Sequence, residues 1–182
     1  MSLFKNIYKT ESNRLKNWDY SSEAIYFITI VTKNRKCIFG VIDSDMMVLN
    51  QKGKIIENEL LKSIVIRDRW FFHNWVIMPN HIHLLIEIKL NPSNLETHNV
   101  ETHCSASLLP LSRKPNSISS FVAVFKSVTT KQINKLNENE NGESIWQPNY
   151  HDHIVSNYNS LDRIYQYIKD NPKNRKIDSI NS

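Results

Sequence analysis

Hydrophobic positions along this 182-residue chain fall into short continuous runs and longer helical stripes. Residues 24–31, AIYFITIV, are aromatic and β-branched, which predicts a buried strand. TKNRKCIFG follows as a basic turn and a short apolar piece, and DMMVLN (45–50) predicts a short extended piece before a helix. From 53 to 66, Ile55, Ile56, Leu60, Leu61, Ile64 and Val65 recur at helical spacing. FFHNWVIM (71–78) predicts a second strand, Pro79-Asn80 a bend, and HIHLLIEI (81–88) a third strand paired with the second as an antiparallel hairpin. Ser117 suits the cap of a helix over 117–136. Its apolar side carries Ile118, Phe121, Val122, Phe125, Val128 and Ile133, and its other face Lys126, Lys131 and Lys135. HDHIV (151–155) predicts a short strand, and a last helix spans 158–170 because Pro172 prevents its continuation.

Strands separated by helices, with one hairpin and no repeated βαβ unit, indicate an α+β plan. The expected architecture is an antiparallel sheet with helices packed mainly on one face, ferredoxin-like. The length suits a single domain over 1–182. The stretch from 90 to 117 has no period and contains Pro92, Pro110 and Pro115, so it is expected to form a surface loop. Its His98 and His103 are read as exposed and unpaired. A polar, basic, flexible tail is expected from residue 173.

Composition narrows the partners. The net charge of +5 favours an anionic partner, nucleic acid being the commonest, although a charge of this size is weak support alone. Cys37 and Cys104 are far apart and fit no CxxC pattern, which argues against a zinc knuckle or a disulfide framework. MSLFKNIYKTESNR has no apolar core of a secretory signal, and the apolar runs fall short of a membrane span. A cytoplasmic protein with no membrane partner is the expectation.

The third strand carries an unusual pair. Side chains alternate between the faces of a strand, so Ile82, Leu84, Ile86 and Ile88 share one wholly apolar face. His81, His83, Leu85 and Glu87 share the other. Residues two apart on a strand lie roughly 6.5–7 Å apart, which lets two imidazoles converge on one cation. The same spacing also occurs as plain polar surface. A metal would need a third oxygen or nitrogen donor and open positions for substrate.

The last helix offers such a donor. Leu161, Ile164 and Ile168 form its core-facing stripe, and Arg163, Tyr167 and Asn171 form a neighbouring polar one. Tyr167 and Asn171 are one turn apart and can reach one point in space. A phenol beside an amide oxygen suits a site where one attacks and the other coordinates. The other reading makes Tyr167 a boundary aromatic and Asn171 a helix end before Pro172.

In order, MPNHIHLL, WQPNYHDHIV and YIKDNP resemble the REP-associated tyrosine transposases, a branch of the single-tyrosine HUH transposases. The resemblance runs from YFITIVTKNRKCIFG through SSFVAVFKSVTTKQIN to the last helix. It implies that His81 and His83 are the paired histidines, that Tyr167 is the nucleophile, and that Asn171 completes metal binding. His153 matches a position that relatives often fill with histidine, which implies a supporting role. Relatives often have an aromatic where His151 stands and an arginine where Ser156 stands, which leaves one DNA contact in doubt.

The implied reaction is cleavage and rejoining of single-stranded DNA at hairpin, REP-like sequences through a 5′-phosphotyrosine, with Mg²⁺ or Mn²⁺ as cofactor. Lys33, Arg35, Lys36, Arg67, Arg69, Lys126 and Lys131 are the candidate DNA contacts, against the reading that they form a solvated basic face. Tyr150 and Tyr165 are rival nucleophiles, but Tyr165 lies off the polar stripe and is expected to pack. His151 and His153 form a second H-x-H that could also hold metal. Two other functions stay open, a nucleic-acid-binding module without catalysis and a metal-dependent phosphodiesterase using water. Monomer and homodimer are equally compatible with the sequence.

Overall fold

A four-stranded antiparallel sheet sets the frame, and its strand order explains how residues distant in sequence meet. The structure is a computed structural model describing residues 18–89, 114–138 and 142–174, with two short paired strands nearer the N-terminus, β1 (Leu3–Phe4) and β2 (Ile7–Tyr8). Most of the expected 90–117 loop, with His98, His103 and Cys104, lies outside the described residues, as does the tail beyond 174.

The sheet contains β3 (Ala24–Val31), β6 (Trp70–Ile77), β7 (His81–Ile88) and β8 (His151–Val155) in the order β6-β7-β3-β8. Between β3 and β6 lie a short hairpin, β4 (Gly40–Asp43) with β5 (Met46–Leu49), and helix α1 (Gln51–Val65). Helix α2 (Ile118–Leu136) joins the β6–β7 hairpin to β8, and α3 (Tyr158–Asp170) follows. From β3 to β8, leaving aside the small hairpin and the 3₁₀ turn, the order is strand, helix, two strands, helix, strand, which is the expected ferredoxin-like α+β plan, with α3 added after it.

The core lies between the sheet and helices α1 and α2. Alternation puts Tyr26, Ile28 and Ile30 of β3 and Ile82, Leu84, Ile86 and Ile88 of β7 on that face. They pack with Ile56 and Leu60 of α1 and Ile118, Phe121, Val122, Phe125 and Ile133 of α2. Trp146 enters this core, and its indole N–H donates to Thr129 Oγ1 at 3.0 Å. Ser117 caps α2 reciprocally with Ser120. Asn50 caps α1, which starts two residues earlier than the periodicity indicated. Leu61 and Val65, assigned to the apolar stripe of α1, are exposed, because the helix meets the core along a narrower strip centred on Ile56 and Leu60.

Among the described helices, α3 alone packs on the opposite face. Ile168 is fully buried with Leu85 and Val155, and Leu161 and Ile164 pack beside them. The expected core stripe of this helix is therefore the observed one. Bulge residue His73 in β6 shifts the register between Phe72 and Asn74. Asn74 Nδ2 then donates to the Tyr165 carbonyl at 3.1 Å, tying α3 to the sheet.

Candidate active site

The two histidines lie on the sheet face covered by α3. In the β3–β7 register His81 pairs with Val31 and His83 with Thr29, so both imidazoles stand over the two central strands. Both are buried, and their ring centroids are 4.5 Å apart. Phe27 stacks on His83 at 5.2 Å. Tyr167 stands edge-on to both rings, at 6.1 Å from Phe27 and 5.2 Å from His83.

The decisive contact joins the two halves of the sequence motif. Tyr167 Oη lies 3.2 Å from His83 Nε2, across 84 residues of chain. The tyrosine is 39% exposed, so its side chain borders solvent. Each imidazole also holds a partner through its other nitrogen. His81 Nδ1 lies 2.7 Å from Asn80 Oδ1, and His83 Nδ1 lies 2.8 Å from Thr29 Oγ1. Neither Asn80 nor Thr29 was singled out from the sequence. Thr29 is the hydroxyl-bearing β-branched residue within AIYFITIV and gains its meaning from strand pairing, whereas Asn80 directly precedes the H-x-H and gains its meaning from the contact with the Arg35 carbonyl.

Asn171 follows one turn beyond Tyr167, at the C-cap of α3. It is 1% exposed, and neither Oδ1 nor Nδ2 has a hydrogen-bond partner among the described residues. Burying an amide without a partner costs roughly 1–3 kcal/mol, so such a group calls for a ligand. Two adjoining imidazoles offer nitrogen donors, and the amide of Asn171, one turn beyond Tyr167, offers an oxygen; a mixed set of this chemistry fits a divalent cation such as Mn²⁺ or Mg²⁺. Among the described residues no group of three or more His, Cys, Asp or Glu side chains could hold a metal, so any such site depends on the amide.

The other expected site residues are spread more widely. His151 and His153 pair with Thr29 and Phe27 from the outer side of β3, so they share the face of His81 and His83 but stand one strand further away. Both are exposed. Lys33 and Arg35 form a short 3₁₀ turn at the end of β3, with Lys36 as its C-cap, beside the His81 end of the sheet. Arg69 lies at the other end of the β6–β7 hairpin, where its Nε donates to Lys89 O. Seven residue steps of β7 separate that end from His81, roughly 23 Å. Arg67 donates to Ser63 O and lies over Trp70 and Phe121 at 5.3 and 4.9 Å. Burial pulls its guanidinium pKa down, and its place on the helix side keeps it away from the imidazoles.

Lys126 donates to the carbonyls of Gln147 and Asn149, which engages its charge in holding the approach to β8. With Lys131 and Lys135 it also lines a cleft of about 510 Å³. A second cleft of about 360 Å³, lined by Lys33, Lys36 and Lys52, shares Asn134 and Ser144 with the first. Of the rival nucleophiles, Tyr150 is buried with its hydroxyl 3.1 Å from Ser119 Oγ. Tyr165 is 40% exposed, contrary to the expectation that it packs, because its place on α3 lies outside the Leu161–Ile164–Ile168 stripe.

Comparison with known proteins now adds to this geometry. Residues 107–171, which include Tyr167 and Asn171 but not the histidines, match the family described as IS200-like transposases. An uncharacterised protein of Haemophilus influenzae is 35% identical over 166 residues, covering 91% of this chain and 89% of its own. The chain belongs to the IS200-like transposase family. A solved structure of a REP-associated tyrosine transposase bound to a REP hairpin shares the fold, with a TM-score of 0.57 at 18% identity. That alignment covers 92% of this chain and 74% of the other. The resemblance drawn from the sequence motifs thus holds, and this transposase is a DNA-processing protein. Among its described residues no helix is long and apolar enough to cross a membrane.

Proposed function

We propose that this transposase cleaves and rejoins single-stranded DNA at hairpin, REP-like sequences, with Tyr167 as nucleophile. The single observation that carries the reading is the 3.2 Å approach of Tyr167 Oη to His83 Nε2. The phenol oxygen attacks a backbone phosphorus, the bond to the 3′-oxygen breaks, and a 5′-phosphotyrosine and a free 3′-hydroxyl result. The phenol proton leaves to solvent and the 3′-oxygen gains one, so the step is balanced. The phosphodiester energy stays in the covalent link, and a second 3′-hydroxyl reverses the step without ATP. A free tyrosine, with a pKa of about 10, is a weak nucleophile near neutral pH, so the site must favour its anion and the leaving oxygen.

His81, His83 and Asn171 would hold a divalent ion, Mg²⁺ or Mn²⁺, which when bound neutralises the phosphate and stabilises the leaving oxygen. Phe27 and His83 fix the ring of Tyr167 from two sides, so the phenol is oriented before substrate arrives. His153 on the same face is within the reach of a bound strand and has a supporting role. The phenol and both imidazoles meet within one chain, which supports action in cis by a monomer or by each copy of a homodimer.

The two lysine-lined clefts support binding of the phosphate backbone. Lys126, Lys131 and Lys135 lead through Lys33 and Lys36 to the His81 end of the sheet, with Arg35 in the same turn. Arg67 and Arg69 are weaker contacts, the first stacked on aromatics and the second at the far end of the hairpin.

Incubation with labelled hairpin single-stranded DNA and Mn²⁺ tests the proposal. A covalent protein–DNA adduct is expected, and Tyr167→Phe should abolish it. Cleavage that survives this change points to a hydrolase using water, and binding without cleavage points to a module without catalysis. Either result would sink the tyrosine mechanism.

A further inference from the structure

The bend between β6 and β7 is held more firmly than a surface turn requires. Pro79 O accepts from the N–H groups of Ile38 and Phe39, and Asn80 O accepts from Thr32 N. Asn80 itself is 3% exposed. Its side-chain amide is oriented by chemistry, because Nδ2 faces the Arg35 carbonyl at 3.4 Å and a carbonyl only accepts. Oδ1 must therefore face His81 Nδ1, at 2.7 Å. That oxygen also only accepts, so the proton sits on Nδ1 of His81 and the lone pair on Nε2. Turning the amide over would oppose two acceptors on one side and leave the arrangement unsatisfied.

Thr29 stands in the matching place for His83, its hydroxyl 2.8 Å from Nδ1 and 5% exposed. A hydroxyl can donate or accept, so it follows whatever Nε2 requires. The phenol of Tyr167 on Nε2, as donor, sets the same proton position as a cation would.

We infer that Asn80 and Thr29 are positioning residues: Asn80 holds His81 as its Nδ1–H tautomer, and Thr29 orients His83 and accepts from its Nδ1 once Nε2 is engaged, so that both Nε2 lone pairs are presented to one divalent cation. This rests on the metal reading above and names what prepares the site for it. Partners of this kind typically alter metal affinity by about 10–100-fold when removed. The two act unequally, since Asn80 fixes its imidazole before any cation arrives and Thr29 only adapts.

Nitrogen-15 NMR of the imidazoles in metal-free wild-type protein gives the first test. His81 is expected as the Nδ1–H form; a proton on Nε2 overturns the inference whatever the variants do. Mn²⁺ titration followed by electron paramagnetic resonance gives the second. Asn80→Ala and Thr29→Val should each weaken Mn²⁺ binding by about tenfold or more. Asn80→Asp and Thr29→Ser, which keep an acceptor, should restore it to within a few-fold. If Asn80→Ala does not fold, the Thr29 pair and the wild-type proton position decide the matter. Unchanged affinity in the folded alanine and valine variants, with wild-type uptake intact, sinks this inference alone. No uptake by wild type sinks it together with the metal reading.

Discussion

Replacing Ile168 by alanine should loosen α3 without loosening the sheet. The 13-residue helix is near the length at which isolated helices are marginal in water, so it depends on docking. Ile168 is fully buried in a cluster whose other buried members are Leu85 and Val155. Truncation removes three carbons, roughly 2–2.5 kcal/mol of transfer free energy at about 0.8 kcal/mol each. A residual cavity raises this to about 3 kcal/mol, within the usual range for such changes. At 1.4 kcal/mol per tenfold, the open form of α3 should become about 100-fold more populated. Amide hydrogen exchange read by mass spectrometry is the assay. Amides of 158–170 should exchange about 100-fold faster, while those of β3 and β7 keep their wild-type rates because the main core lies on the other face. Adduct formation should fall once the open form is appreciably populated. Equal acceleration in α3 and β3, or less than about fivefold in α3, would refute the reasoning that this helix is a separately docked unit.

Gly53→Ala should destabilise the protein by about 1–3 kcal/mol despite alanine's higher helix propensity. An added Cβ would fall 2.2 Å from Phe39 O, a backbone atom that cannot swing away, and urea unfolding at equal or higher midpoint would disprove this. Lys114→Ala should raise the Asp19 pKa, which the ammonium of Lys114 and the Ser21 hydrogen bonds now hold down at about 2 against an ordinary 3.8. A depressed carboxylate stabilises the folded state above its ordinary pKa. The contribution of this pair should therefore be present at neutral pH and fade as pH falls from about 4 to about 2. Exposure keeps it small, and a proton NMR titration of Asp19 that does not move would exclude the pair as its cause.

Elements whose character is set locally were legible in the chain. β3 is bounded to the residue because AIYFITIV is almost wholly apolar, aromatic or β-branched and is flanked by polar turns. α3 is bounded equally well, Pro172 setting its end, and the structure adds Asn157 as its cap. The β4–β5 hairpin is legible only as separate short pieces. Its two-residue turn uses Ser44 and Asp45, both at positive φ, in place of the usual Asn-Gly signal. At the site, H-x-H and Tyr-x-x-x-Asn gave the groups that could act, but not their supports. Thr29 matters because it is opposite His83, and Asn80 because a carbonyl 45 residues earlier orients its amide; register and tertiary contact decide both. Charge was the least informative signal. Lys33 and Arg67 look alike in sequence, yet one lines an open cleft and the other is stacked on Trp70.

The sheet separates two obligations of the chain. One face, against α1 and α2, carries nearly all the buried apolar mass, whereas the other bears imidazoles, a phenol and an amide over three buried aliphatic residues. Changes among the chemical groups therefore draw little on the cohesion of the whole. A lineage could lose its reaction, or trade it for mere attachment to nucleic acid, and still inherit a sound fold.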